Sequence, residues 1–320
     1  MYDLIIVGAG PVGICAGIYA RQADLRYLIL EQGTLCQSLV EYPIGMRFFS
    51  PADELAIGGY PFPTPHDEKP TREMALNYYR KVASAENLAI QTYERVDRIE
   101  PIEGEGFAVQ TVCLPHGHPT QTYQTRTVLL TTGLWGQPGA DLPHVLVRYD
   151  EPIRFWRKRV LIVGTGNSAG EAAIRLSDAD AHVWLAIETE SLEQARFRPF
   201  ILREIQLRVE EKHLTPLFQT QIERIDPTCV HLTGSPGELA LPVDFVLTLV
   251  GLEGDTRLIA PLGVPLDEQG KPLHDPETYE TPVPGLYVGG AISRDGFIYL
   301  ARERVGQAIR AIVQRVRTPQ

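Results

Sequence analysis

One pattern occurs twice in this chain: a short apolar strand, a glycine-rich turn, a helix of small residues, and a second apolar strand that ends in an acid. The first copy runs Asp3-Leu4-Ile5-Ile6-Val7-Gly8-Ala9-Gly10-Pro11-Val12-Gly13, a helix to Ala23, then Tyr27-Leu28-Ile29-Leu30-Glu31. The second runs Arg159-Val160-Leu161-Ile162-Val163-Gly164-Thr165-Gly166-Asn167-Ser168-Ala169, a helix to Ser177, and a strand from His182 to Ile187 that ends at Glu188. A lone GxGxxG string is weak evidence. Here each string follows a strand, opens a helix and has an acid about 20 residues further on, which is the context a dinucleotide site requires. The first glycine makes the tight turn, the second lets the backbone approach a pyrophosphate, and the third packs helix against strand. In the second copy Ala169 takes the third place, which the pattern permits. The phosphates then meet free N–H groups at a helix N-terminus.

The duplication predicts an α/β fold of two Rossmann-like, three-layer dinucleotide-binding domains, and the 320 residues suffice for two such cores. Segment 136–157, rich in Pro, Gly and Asp, reads as one hinge, and the stretch after Leu252 as the return crossing. The second domain, 150–252, is therefore inserted into the first, 1–143 and 256–320. Within the first, Leu76, Tyr79 and Val82 at helical spacing predict a helix over 71–85. Apolar stretches at 107–112 and 128–131 predict strands. The tail reads as a strand, Leu286-Tyr287-Val288, a Gly289-Gly290 turn and a terminal helix over 300–316 that completes the first domain.

A formal net charge of −10 disfavours nucleic acid and anionic lipid surfaces as partners. No apolar run approaches the ~20 residues that span a bilayer, and no signal-peptide pattern opens the chain, so the expectation is a cytoplasmic protein with no membrane partner. Cys15, Cys36, Cys113 and Cys229 form neither a CxxC pair nor a metal-ligand spacing, and each reads as a small core residue. No metal is expected. His116, His118, His144 and His274 lie in polar or Pro/Gly-rich stretches and read as solvated loop residues.

Further residues carry a resemblance over nearly the whole chain. They are Tyr42-Pro43, Met46, Phe48-Phe49-Ser50, Glu54-Leu55, Ile57-Gly58, Lys69-Pro70, Ala75-Leu76 and Tyr78-Tyr79-Arg80. Thr132-Gly133, Gly166-Asn167-Ser168-Ala169 and Glu277-Thr278-Tyr279-Glu280-Thr281 extend the set. In this combination the chain resembles the bacillithiol-disulfide reductase family, a branch of the thioredoxin-reductase-like flavoproteins. The resemblance implies FAD against Gly8, Gly10, Pro11 and Gly13, with Glu31 on its ribose and Gln37 and Ser38 near the flavin. Thr132 and Gly133 would lie beside the cofactor, and Gly290 and Ala291 would close over it. Ala291 stands where thioredoxin reductases usually carry Asp, and the bacillithiol branch is also apolar there. Gly164, Gly166, Asn167, Ser168, Ala169 and Glu188 would hold the second dinucleotide. A homo-oligomer, dimer or tetramer, is implied as well.

Two departures bear on chemistry. The family's proposed redox cysteine stands in a Gly-Pro-Cys-Gly loop, and the matching position here is Val12, which cannot attack a disulfide. Cys15 lies one helical turn deeper and is expected to face the core. Cys36, just after the first acid and beside Gln37 and Ser38, is the candidate for a thiol brought from elsewhere. At the second site Glu188 aligns with an Arg that the family uses near the adenosine 2′-phosphate. An acid accepts hydrogen bonds from a free 2′-OH and repels a 2′-phosphate. NADH is thus favoured over NADPH, with another dinucleotide, such as a second FAD, also open. Arg196, Arg198 and Arg203 either supply phosphate contacts or form a solvated helix face.

The expected activity is that of an FAD-dependent oxidoreductase passing electrons from a reduced donor to a small-molecule or protein disulfide, or to another small acceptor. In this class nicotinamide stacking on the flavin requires rotation between domains, which the two hinges would permit. A flavoenzyme fed by a protein donor such as ferredoxin, and a non-catalytic flavin-binding protein, are the alternatives. A flavin monooxygenase also fits paired glycine loops, but the family-specific stretches point away from it.

Overall fold

The structure, a computed structural model, describes residues 1–65, 67–102, 106–114, 118–135, 142–234, 237–251, 253–254 and 256–318. The chain forms two compact units. The first comprises Met1–Val40, Gly45–Trp135 and Glu253–Gln320, and the second comprises Glu41–Ile44 and Gly136–Leu252.

The first unit opens with β1 (Tyr2–Val7), α1 (Pro11–Gln22) and β2 (Tyr27–Leu30). Two short helices follow, α2 (Gln37–Val40) and α3 (Ala52–Leu55), then the longer α4 (Arg72–Ala85). Thr71 caps α4 by accepting the Met74 N–H at 3.3 Å, so the helix begins at the start of the range its spacing predicts. Next come β3 (Ile90–Gln91), β4 (Glu94–Pro101), β5 (Phe107–Cys113), β6 (His118–Leu130) and β7 (Leu134–Trp135). The main sheet runs β3-β2-β1-β6-β5-β4. Its β1, β2, β3 side is parallel, and β4-β5-β6 is an antiparallel meander. Leu4, Ile5 and Ile6 are fully buried, as expected of a central parallel strand covered on both faces.

The second unit contains β8 (Val145–Leu146), β9 (Arg159–Val163), α5 (Asn167–Asp178), β10 (His182–Ala186), α6 (Pro199–Glu210) and β11 (Leu214–Leu217). These precede β12 (Gln221–Ile225), β13 (Cys229–Thr233), β14 (Leu239–Pro242) and β15 (Phe245–Thr248). A parallel sheet runs β11-β10-β9-β15-β8, and β12-β13-β14 form an antiparallel sheet. Val160, Leu161 and Ile162 repeat the full burial of the first unit's central strand. Val230, Leu232 and Leu241 of the antiparallel sheet share a core with Leu161, Ala186 and Val246.

The chain then returns to the first unit as β16 (Glu253–Gly254), which pairs with β7, and β17 (Leu286–Val288), which pairs in parallel with β6. The terminal helix is α7 (Ile298–Arg317). Leu286, Val288 and Ile292 enter the same core as Ile5, Val7, Phe107 and Val109, so the last segment supplies part of the first unit's interior.

Three expectations need correction. The segment read as a hinge over 136–157 carries β8, whose Val145 and Leu146 pair with Val246 and Leu247, and a 3₁₀ turn at Pro152–Phe155. Residues 136–141, Leu252 and Asp255 of the two hinge segments lie outside the described residues. Residues 41–44, expected in the first unit, belong to the second: the Ile44 N–H donates to Asp150 O at 2.8 Å, and Glu41 pairs with Arg148. Finally, Cys15 and Cys36 are buried, but Cys113 and Cys229 are only half-buried, because they occupy strand ends.

Candidate functional site: two glycine-rich loops

The first loop has the geometry its three glycines predict. Gly8 has φ +107°, and a Cβ there would lie 2.6 Å from Thr131 O. At Gly13 a Cβ would lie 1.9 Å from Gly8 O, so a helix residue with any side chain cannot pack here. At Gly10 a Cβ would meet nothing within 4 Å. The missing side chain of Gly10 therefore faces open space at the N-terminus of α1. Pro11 occupies the first helical turn, where no N–H partner is lost, and Val12 and Gly13 present N–H groups that the helix itself leaves unpaired.

The surrounding residues brace this loop. Glu31 is buried, and its carboxylate accepts the N–H groups of Ala9 and Gly33, each at 2.8 Å. Burial raises its pKa, against the lowering effect of those backbone donors. The Cys36 N–H donates to Ala9 O at 3.0 Å, so both sides of the Ala9 peptide are held. The Thr131 hydroxyl lies 3.0 Å from both Val7 O and Gly8 O, closing the turn from β6. Thr132 and Gly133 follow directly, with Gly133 at φ +73°. Gly290, at φ +78°, sits on the Val12 side chain: a Cβ there would lie 3.2 Å from Val12 Cγ2. Ala291 O accepts from Lys271 Nζ at 3.4 Å. Gln37 is half-buried and accepts the Thr34 N–H at 3.1 Å, while Ser38 is exposed.

None of this places a reactive thiol at the loop. Cys36 is 1% exposed, and burial first, then the Glu31 charge, pushes its thiol pKa up. Cys15 is fully buried, and burial raises its thiol to about 11. Both are protonated at neutral pH, and a protonated thiol is a poor nucleophile. Of the histidines expected in loops, His118 instead opens β6, and His274 is not simply solvated. Its ring stacks on Tyr279 at 5.3 Å, and Nδ1 lies 2.9 Å from Pro272 O. His116 lies outside the described residues.

The second loop repeats the design with different bracing. Gly164 has φ +147°, and a Cβ there would lie 2.4 Å from Leu249 O. Gly166 again faces open space, and Ala169 is fully buried at the packing position. Asn167 Oδ1 accepts the Arg198 N–H at 2.8 Å, and the Arg196 N–H donates to Thr165 O at 2.9 Å. These bonds bring Arg196 and Arg198 beside the loop. They are not a helix face: Arg198 is the N-cap of α6, and only Arg203 lies within that helix. Ser168 is exposed, and Glu188 is exposed just past the end of β10. In a parallel sheet of this kind, ligands bind at the carboxyl ends of the strands.

Comparison with known proteins matches residues 5–290 to the family model described as pyridine nucleotide-disulphide oxidoreductase. The chain belongs to that family. Among its relatives, the bacilliredoxin reductase Bdr of Bacillus subtilis is 30% identical over 90% of this chain and 89% of its own length. The solved structure of bacillithiol disulfide reductase Bdr from Bacillus cereus superimposes with a TM-score of 0.90 at 26% identity, covering 98% of each chain. A ferredoxin–NADP reductase of Sulfurisphaera tokodaii is 26% identical over 95% of this chain and 89% of its own length. As a pyridine nucleotide-disulphide oxidoreductase of the bacillithiol-disulfide reductase branch, the protein is a thioredoxin-reductase-like flavin oxidoreductase. FAD and a nicotinamide dinucleotide are the cofactors that membership implies.

The site residues fit such groups. A side chain at Gly10 or Gly166 would fill the space that each loop leaves open at a helix N-terminus. Sequence reasoning missed Thr131, whose only signal was its place beside Thr132-Gly133. It also missed the Val12–Gly290 contact, which joins opposite ends of the chain.

Proposed function

We propose that the first loop holds FAD and that the second takes a nicotinamide dinucleotide without a 2′-phosphate. On this reading the protein passes electrons from that donor to a small acceptor without a thiol of its own. The observation that carries it is the pair of open positions, Gly10 and Gly166, each at a helix N-terminus inside an otherwise tightly packed glycine turn. Bound in the first loop, FAD supplies a ring system that takes up two electrons and releases them to an acceptor. Gly10, Val12 and Gly13 offer their backbone to the pyrophosphate, Glu31 fixes the loop and remains an acceptor for a ribose hydroxyl, and Thr131 locks the turn. Thr132, Gly133, Gly290 and Ala291 line the approach to the ring, with Gln37 and Ser38 on α2.

At the second loop, Gly166, Asn167 and Ser168 would meet a pyrophosphate, and Arg196 and Arg198 stand beside them. Glu188 accepts from a free ribose 2′-OH. A 2′-phosphate there places like charges together, and one such pair at 4 Å costs about 1 kcal/mol in water and about 4 at an intermediate dielectric. That corresponds to at least about a fivefold preference for NADH over NADPH.

Val12 in place of a cysteine, together with the inert Cys15 and Cys36, supports direct electron transfer to the acceptor over a mixed disulfide with the enzyme. Anaerobic mixing with NADH should bleach the flavin absorbance. Turnover of a disulfide or other small acceptor should survive prior alkylation with N-ethylmaleimide. Loss of turnover on alkylation would refute the thiol-free route. Bleaching by a reduced ferredoxin but by neither nicotinamide would favour a protein-fed flavoenzyme, a reading that Glu188 and the ferredoxin–NADP reductase relative support. Bleaching by none of these would leave a flavin-binding protein without this activity.

A further inference from the structure

The short helix α2 has only four residues, Gln37–Val40, and connects the first glycine loop to the segment that enters the second unit. Four residues cannot sustain a helical ladder, and their carbonyls are all terminal, so the position of α2 depends on what binds its two ends. At its start, Cys36 is bonded to Ala9 of the glycine loop. At its finish, a single guanidinium takes over: Arg72 Nε donates to Leu39 O at 3.1 Å, and Nη2 donates to Val40 O at 2.7 Å. The remaining arm, Nη1, pairs with Glu73 Oε1 at 3.0 Å, and that same carboxylate oxygen accepts the Gly45 N–H at 3.1 Å. The Arg72 backbone N–H donates to Met46 O at 2.8 Å. Both ends of the 41–44 excursion, residues 39–40 before it and 45–46 after it, are thus fastened to the first turn of α4. The Arg72 side chain is 14% exposed, so water replaces these bonds poorly.

We propose that Arg72, seconded by Glu73, is a positioning residue for the flavin site: it fixes α2 and thereby holds Gln37 and Ser38 against the first glycine loop. This rests on the reading of that loop as the FAD site. The planar guanidinium serves two carbonyls and a carboxylate at once, which an ammonium cannot do. The effect of losing it is therefore felt at Gln37 and Ser38, although Arg72 itself need not touch the cofactor.

The test compares Arg72→Ala, Arg72→Lys, Glu73→Gln and Arg80→Ala, the last changing an exposed α4 residue whose guanidinium donates to Asn77 Oδ1. Flavin fluorescence gives the FAD dissociation constant, the visible spectrum reports the ring environment, and calorimetry of the apo protein reports the fold. The expected result for Arg72→Ala is a dissociation constant raised about tenfold or more and an altered flavin spectrum well below the melting temperature. Arg72→Lys and Glu73→Gln should show smaller losses, and Arg80→Ala none. A lower apo melting temperature with unchanged affinity and spectrum would overturn the proposal and leave Arg72 a purely structural residue. Should Arg72→Ala fail to fold, unchanged affinity and spectrum in both Arg72→Lys and Glu73→Gln overturn it equally. Failure of the wild-type chain itself to bind FAD would refute the underlying reading instead.

Discussion

The two glycine-rich loops share a backbone plan but differ in how their acids are used. Glu31 of the first is 6% exposed, with its carboxylate already engaged by two backbone N–H groups of its own neighbourhood. Glu188 of the second is exposed and forms no hydrogen bond or ion pair among the described residues. The packing position differs as well, Gly13 admitting no side chain while Ala169 already carries one. A buried, internally bonded acid shapes a site, whereas a free exposed acid selects what enters it. On the proposed assignment, the first loop is built around one resident cofactor, and the identity of the second loop's ligand depends on a few surface side chains.

The sharpest way to break this contrast is to exchange the packing residues. Gly13→Ala forces a Cβ to 1.9 Å from Gly8 O, and FAD affinity measured by fluorescence titration should fall more than about a hundredfold. Ala169→Gly should change nicotinamide affinity by less than about threefold. Next in size, Glu188→Arg should invert the coenzyme preference, with the NADPH to NADH affinity ratio rising by about tenfold or more in anaerobic titrations.

A smaller effect is expected from Glu31→Gln, which keeps the shape but can accept only one of the two N–H groups well. FAD affinity should fall roughly tenfold. Because burial raises the Glu31 pKa above 4.5, its contribution to apo stability is present below that pH and is lost as pH rises through the raised value. The melting temperature of the wild-type apo protein, measured against Glu31→Gln, should accordingly decline between acid and neutral pH. The smallest change should come from Cys36→Ser, with acceptor reduction retained within about twofold. In thiol titrations of the folded protein, Cys113 and Cys229 should react before Cys15 and Cys36.

How much of this was legible in the sequence follows from how local each feature is. The glycine turns, their strands and the helix over 71–85 are set by neighbouring residues, and they stand where the pattern places them. Val145 and Leu146 read as hinge in the sequence because a two-residue strand has no periodicity of its own; its existence depends on Val246 and Leu247, about a hundred positions away. The sequence does not separate phosphate ligand from helix face for Arg196 and Arg198, since the bonds from their backbone to Thr165 and Asn167 have no sequence signature. The same holds for the bonds from the Arg72 guanidinium to the Leu39 and Val40 carbonyls. The missing cysteine at Val12 was legible at once, but its consequence was not: Val12 packs under Gly290, a contact that required the fold.

The most direct measurement is the flavin content of the purified chain beside Gly10→Val and Gly166→Val, two substitutions whose side chains enter open space and spare the fold. The wild type should release one FAD per chain, Gly10→Val none, and Gly166→Val one that NADH no longer bleaches. Two flavins per chain in the wild type, or loss of FAD on substitution of Gly166, would contradict the assignment of the two loops.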